Sequence, residues 1–240
     1  LFFFTQTTAY ALLRSLVGSE MCIRDSLKSF NNSVPVLQKR VIRALTFFVL
    51  LEALIGAVIV IYEWVGLNSS TPRIIAVPLH LINTFGLLGA YTLLFHLTKN
   101  SKTSLNNFFD KGFKIGLILF LLSGATGSIA ALADVIFPSE SFIMGLAEDF
   151  DSNSEILTRL RVLHPIVASF LSIYLYSEAN RLQREYKVIT KNIKLLVLLG
   201  VFLGVLNVVS NIILPLSILH LLIADLLWVL YVYKSAEKIN

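Results

Sequence analysis

A single cysteine, Cys22, occurs in 240 residues, so the chain can close no internal disulfide and offers no thiolate cluster to zinc or iron–sulfur centres. Charge is scarce as well. Asp, Glu, Lys and Arg make up 15% of the residues against 56% hydrophobic ones, and mean hydropathy is +0.77. A soluble domain of this size could not hide that much apolar surface. The apolar segments also lack the two-residue alternation of strands, so they read as helices. What remains is a set of long apolar runs, which makes the chain an all-α polytopic membrane protein.

The segment Arg14-Ser-Leu-Val-Gly-Ser-Glu-Met-Cys-Ile-Arg-Asp-Ser26 resembles the peptide produced when a sequencing adapter is translated within an assembled read, and residues 1–26 are set aside as non-native. The competing interpretations, a signal peptide or a short spanning helix, meet Arg14, Glu20, Arg24 and Asp25, which interrupt the apolar run well short of about 20 residues. Cys22 falls in this segment, and the native beginning of the chain is expected to be missing. The formal net charge of +5 survives the excision, because Arg14 and Arg24 balance Glu20 and Asp25.

From Leu27 onward six spans are predicted, roughly 42–62, 75–97, 113–136, 160–176, 193–214 and 216–233, each near the length that crosses a bilayer core. Pro72, Pro78 and Pro215 fall at or near helix starts, whereas Pro165 should bend the fourth span beside His164. Basic residues collect before span one (Lys28, Lys39, Arg40, Arg43), between spans two and three, between spans four and five, and at the chain end. By the positive-inside rule these segments are cytoplasmic, as are both ends of the native part. The opposite loops carry Glu140, Glu148, Asp149, Asp151 and Glu155 and face outward, at the plasma membrane. The basic pI of about 9.3 is thus explained by topology and does not point to nucleic acid.

Three Leu-His pairs, Leu79-His80, Leu163-His164 and Leu219-His220, begin the even-numbered spans, which all run the same way. At 1.5 Å per residue each histidine should lie about 8–9 Å below the outer end of its helix. Imidazoles at one depth suit axial haem ligands, while a lone membrane histidine serves equally as an interhelical hydrogen-bonding group. Other metals fit less well, since no carboxylate or cysteine accompanies the set at that level. In span three Gly116, Gly124, Gly127, Ser128 and Ala131 leave one sector bare, for close helix packing or for a flat macrocycle. Arg159 and Arg161 stand at the outer entrance of span four, where they could meet haem propionates or lipid headgroups. Polar Glu52, Asp225 and Asn207 are placed near mid-membrane, and each therefore requires a partner; interhelical hydrogen bonding is preferred to proton relay. Asp134 could cap a helix or pair with Arg159 or Arg161. His96, beside Lys99, is expected at the interface, and Trp64, Trp228, Tyr62, Tyr231 and Tyr233 are expected in the aromatic belts.

Val77-Pro78-Leu79-His80-Leu81-Ile82 parallels Ser217-Ile218-Leu219-His220-Leu221-Leu222, and each follows a helix with a glycine motif, Leu51-Glu52-Ala53-Leu54-Ile55-Gly56 or Phe202-Leu203-Gly204-Val205-Leu206-Asn207. Helices one and two look like a copy of helices five and six. A duplicated four-helix unit needs two more spans than this chain has, and they are expected ahead of helix one.

With these residues in hand, a resemblance emerges. Ala76–Asn83, Ser123–Asp134 continuing to Phe137-Pro138, Arg159–Pro165 and Leu219–Trp228 resemble the haem A synthase family of cytochrome oxidase assembly factors over essentially residues 27–240. The resemblance implies two pseudo-symmetric four-helix bundles with a histidine on each even helix. The second would hold haem b, and the first would receive haem O, whose ring methyl is oxidised to the formyl of haem A. It implies that residues 101–240 form the complete haem b bundle with His164 and His220 as axial iron ligands, and the position of Arg159 and Arg161 then makes them candidate cofactor-binding residues. Residues 27–100 would be the remnant of the substrate bundle, with His80 as catalytic residue and ligand to the substrate haem iron. The first histidine of that bundle and its accompanying acidic residue have no counterpart here, so the chain as given is expected to keep the haem b site with a broken active site. Some relatives carry a cysteine pair in an outer loop, which is absent after Cys22. The implied partners are the bilayer, a haem O synthase and an electron acceptor. Two alternatives stand beside this oxidoreductase: a bis-histidine membrane cytochrome b that only transfers electrons, and a structural or transport protein without haem.

Overall fold

The computed structural model describes residues 35–100 and 110–237; the segment 1–26, read as non-native, lies outside them. Eight helices occur among the described residues, α1 (Val36–Ile61), α2 (Thr71–Lys99), α3 (Lys111–Ile136), α4 (Phe142–Phe150), α5 (Ile156–Leu160), α6 (Leu163–Arg181), α7 (Lys187–Val209) and α8 (Leu214–Glu237). With α5 and α6 taken together as Ile156–Arg181, six helical segments are long and apolar enough to cross a membrane. The chain is a multi-pass membrane protein. Most helices outrun the apolar stretches that mark them, because backbone hydrogen bonding propagates into the adjoining basic turns at little cost. Asp110 sharpens the start of α3 by accepting the Phe113 amide at 2.6 Å, and Ser141 accepts that of Met144 at the start of α4.

Two prolines shape the helices that carry histidines. Pro78 lies inside α2 rather than at its start, because α2 begins a full turn earlier, at Thr71-Pro72. It leaves the Ile74 carbonyl without its helical donor two residues before His80. Pro165 likewise cannot donate to the Arg161 carbonyl, which instead accepts the His164 amide at 3.2 Å. The helix is interrupted at Arg161 and Val162, immediately before the Leu163-His164 pair.

Hydrogen bonds between helix ends fix an up-and-down arrangement. Gln38 Nε2 donates to the Leu97 carbonyl at 2.9 Å, and Tyr174 and Tyr231 both donate to the Gly112 carbonyl, at 2.6 and 2.9 Å. The starts of α1, α3 and α7 therefore share one end of the bundle with the finishes of α2, α6 and α8. This basic end carries Arg40, Arg43, Lys111, Arg181, Lys187 and Lys191. The three Leu-His pairs lie toward the other end, called here the histidine end. Helix α2 packs on α1, α3 and α8, while α3, α6, α7 and α8 follow one another around a bundle.

The core is lopsided. In α6 the buried residues are Leu171, Leu175 and Ala179, and in α8 burial begins at Leu227. Residues 163–170 and 214–226, at the histidine end, bury none. The basic half is filled by Phe85, Phe113, Phe120, Trp228 and Tyr231, with Phe120 and Trp228 only 5.0 Å apart between centroids. Trp228 and Tyr231 are thus core residues at 3% and 2% exposure rather than members of an interfacial belt. Glycines make the difference. An added Cβ at Gly89 would meet the Trp228 ring at 3.2 Å, and one at Gly124 would strike Phe85 at 2.5 Å. The indole N–H and phenol O–H find partners inside, the former on the Phe85 carbonyl at 2.8 Å. His96 is also buried, at 0% exposure, edge-on to Tyr233 at 5.4 Å; the expected interfacial position is taken up by Lys99 beyond it.

Candidate functional site

Each Leu-His histidine rests on a glycine of the preceding span. Gly56 of α1 lies under His80, Gly127 of α3 under His164 and Gly204 of α7 under His220, with ideal Cβ positions 3.8, 2.9 and 3.1 Å from the respective Cε1 atoms. A side chain at Gly127 or Gly204 would push the ring away. Among the small residues of α3, Gly127 therefore serves a histidine, while Gly124 and Gly116 serve aromatic packing.

The structure brings His164 and His220 together, with ring centroids 6.2 Å apart and planes at 86°. Two imidazole–metal bonds of about 2 Å each, plus half a ring at either side, amount to about 6 Å, so one metal could bridge the pair. His164 Nδ1 lies 3.2 Å from the Ser123 carbonyl. A proton on Nδ1 would satisfy that carbonyl and leave the Nε2 lone pair for a ligand. His220 Nδ1 is buried and faces the Gly200 backbone without a closed hydrogen bond. Depth from the helix start is unequal, contrary to expectation. His80 stands nine residues into α2, about 14 Å, and His220 six residues into α8, about 9 Å, because α2 gains its extra turn ahead of the apolar run.

Around His80 the neighbours are polar. Glu52 of α1 accepts Asn83 Nδ2 at 2.5 Å and Thr84 Oγ1 at 2.6 Å, and its Oε2 lies 3.5 Å from His80 Nδ1. That nitrogen is buried and makes no hydrogen bond, so carboxylate and imidazole approach without closing. Glu52 thus has the interhelical partners that its position demands. Asp225 does not, since its Oδ1 is buried without a hydrogen bond. Asn207 is no mid-membrane residue. It sits two residues before the end of α7 and pins the α7–α8 turn, donating to Ser217 Oγ at 3.0 Å and accepting the Ile213 amide at 3.2 Å. The turn holds Asn211 and Ile212 at φ 57° each, the left-handed region that a β-branched residue enters only under constraint.

Arg161 and Arg159 both stand at the histidine end, in different states. Arg161 is 8% exposed and spends its donors on Asp149 at 2.8 Å, Asp134 at 3.0 Å and Glu148 at 3.3 Å, with a further bond to Ser139 Oγ. It clasps the acidic face of α4 to the end of α3. Arg159, two residues earlier, is exposed. Among the described residues no group of three or more His, Cys, Asp or Glu side chains could hold a bare metal ion. Glycine cradles and a histidine pair at bridging distance, on stretches of α6 and α8 that bury no side chain, are compatible with a planar metal macrocycle.

The involvement of Glu52 with His80 was not legible beforehand, although a signal existed: Glu52 precedes Gly56 by four residues and so shares its helix face.

A profile of the family described as cytochrome oxidase assembly protein matches residues 20–232. Two curated relatives, each called protohaem IX farnesyltransferase and each from a different strain of Thermus thermophilus, are 30% identical over 208 residues. The match covers 81% of this chain and 33% of each relative, so the chain spans about a third of their length. No solved structure matches it.

Proposed function

The chain belongs to the cytochrome oxidase assembly protein family, and from that premise we propose that it carries the haem-binding machinery of a haem A synthase-type oxidoreductase, which converts the ring methyl of haem O into the formyl of haem A. The observation that carries this reading is the 6.2 Å spacing of His164 and His220 in the half of the bundle where α6 and α8 bury no side chains. These two residues would hold haem b as axial ligands. Gly127 and Gly204 give the rings room, and the Ser123 carbonyl sets the tautomer of His164. His80 would face the iron of the substrate haem. Exposed Arg159 is the guanidinium available to a propionate, while Arg161 holds α4 in place. A bis-histidine haem supplies an electron carrier rather than an open site for oxygen. Oxidation of an unactivated methyl group also requires an external electron acceptor.

The substrate assignment draws support from the relatives, whose name describes a transferase that farnesylates haem; such an enzyme is the proposed supplier of haem O. The activity is proposed for the protein as a whole, given the share of those relatives that the chain spans. Basic residues opposite the histidines support an orientation with the histidine end outward at the plasma membrane. A second reading, a cytochrome b devoted to electron transfer, rests on the same His164–His220 pair, which a bis-histidine haem would use in either case.

Reduced-minus-oxidised absorption of the purified chain reconstituted with haem b tests both. A low-spin bis-imidazole band is expected, and absence of any haem band overturns both. Formation of a formyl-haem from added haem O then separates the synthase from the electron carrier.

A further inference from the structure

The α1/α2 and α7/α8 hairpins correspond in register at their histidines: Gly56 and His80 match Gly204 and His220. One turn toward the basic end, Glu52 corresponds to Gly200 and Asn83 to Ile223. The first pair is hydrogen-bonded at 2.5 Å, and the second is an apolar contact in which an added Cβ would lie 3.6 Å from the Ile223 methyl. Thr84, the other donor to Glu52, corresponds to Ala224. A carboxylate at this depth is costly unless donors surround it, and both of its donors are present only where it is present. Packing does not explain it, since Gly200 serves the same contact with no side chain. Asn83 Nδ2 also bonds the Phe48 carbonyl at 2.9 Å, and Thr84 Oγ1 is shared with the His80 carbonyl at 3.0 Å. The carboxylate is thereby held with Oε2 toward the imidazole. His80 Nδ1, buried and without a closed hydrogen bond, is a second donor within reach of this oxygen beside Asn83 Nδ2.

We propose that Glu52 is the positioning residue of the His80 site: its carboxylate accepts a hydrogen bond from His80 Nδ1–H when Nε2 ligates haem iron, fixing the tautomer and making this imidazole a stronger donor than His164 or His220. The proposal rests on the reading that His80 faces a haem iron. Carboxylate–histidine–metal arrangements of this kind raise ligand basicity. Hydrogen bonding around an axial ligand in turn tunes the reduction potential of the haem. A more basic ligand stabilises ferric iron, so the haem at His80 would be harder to reduce than it would be without Glu52. The chain would then offer one anionically supported imidazole and one neutral pair, which suits two haems with different tasks.

The test uses the full chain in lipid nanodiscs loaded with iron protoporphyrin IX, whose His164/His220 population serves as internal reference. Without a second imidazole at His80, the haem there should be five-coordinate and high-spin. Its Fe–His stretch in resonance Raman spectra of the ferrous state, its midpoint potential and its ferric affinity are the readouts. Glu52→Gln should lower the stretch frequency, raise the potential and weaken ferric haem binding about 10–100-fold, with the low-spin population unchanged. Glu52→Asp, which keeps the charge but withdraws it, should fall between. A role confined to joining α1 to α2 would alter occupancy without moving frequency or potential. A high-spin haem whose stretch and potential are the same in wild type, Glu52→Gln and Glu52→Asp overturns the role of Glu52 while leaving the haem reading intact. A high-spin population that is absent in the wild type, or that survives His80→Ala, overturns the haem reading at His80 and this inference with it.

Discussion

In both the α1/α2 and the α7/α8 hairpins a histidine rests on a glycine of the first helix, yet one turn away the first pair builds a hydrogen-bonded acid and the second an apolar contact. The turns differ in the same spirit. Arg73 ties the α1–α2 loop to the head of α2, donating to the Gly66 and Asn68 carbonyls at 2.7 and 2.6 Å, and Asn68 closes the loop on itself through the Glu63 carbonyl at 3.1 Å. The α7–α8 turn is fastened through Asn211 to the Ser139 carbonyl at 3.2 Å, and hence to the segment that Arg161 clasps. A single backbone plan thus carries two chemistries, because a lone side chain at membrane depth changes only together with the groups that satisfy it.

The comparison can be broken most completely at the histidines. Replacing His220 by Ala should abolish the low-spin haem signal of the loaded chain and leave any high-spin signal at His80 in place; an unchanged low-spin spectrum removes His220 from the axial pair. Next in size is Arg161→Ala, which strands three carboxylates and should cost on the order of 3–5 kcal/mol, read as a lower midpoint of thermal unfolding in detergent. Arg73→Ala, which frees only two carbonyls, should cost about 1–3 kcal/mol. The glycine cradles sharpen the contrast. Gly204→Ala should displace the His220 ring and cost about 1–3 kcal/mol of haem binding, a loss of roughly fivefold or more, whereas Gly56→Ala meets an ordinary contact at 3.8 Å and should change little. Among the substitutions with a measurable cost the smallest is Trp228→Phe, which removes the bond to the Phe85 carbonyl and should lower stability by about 1 kcal/mol, measured by the same unfolding midpoint.

Much of the architecture was readable in the chain itself. Apolar runs of about 20 residues fix the spans, since lipid leaves the backbone no other partner, and the repeat of Leu-His after a glycine-bearing helix marked the two hairpins. What escaped was set by partners distant in sequence. Trp228 and Tyr231 resemble belt residues by position, and only the bare surfaces of Gly89 and Gly116, on other helices, turn them inward. His96 looked interfacial because Lys99 follows it, but Tyr233 of α8 covers it. Hydropathy places Pro78 near a helix start because it does not register the polar turn Thr71-Pro72-Arg73 that precedes it.

The crowded rings of Phe85, Phe113, Phe120, Trp228 and Tyr231 lay a dry floor beneath the imidazoles. To come at them from the basic end a molecule would have to part those buried rings, whereas the half-exposed histidine end asks for no such rearrangement.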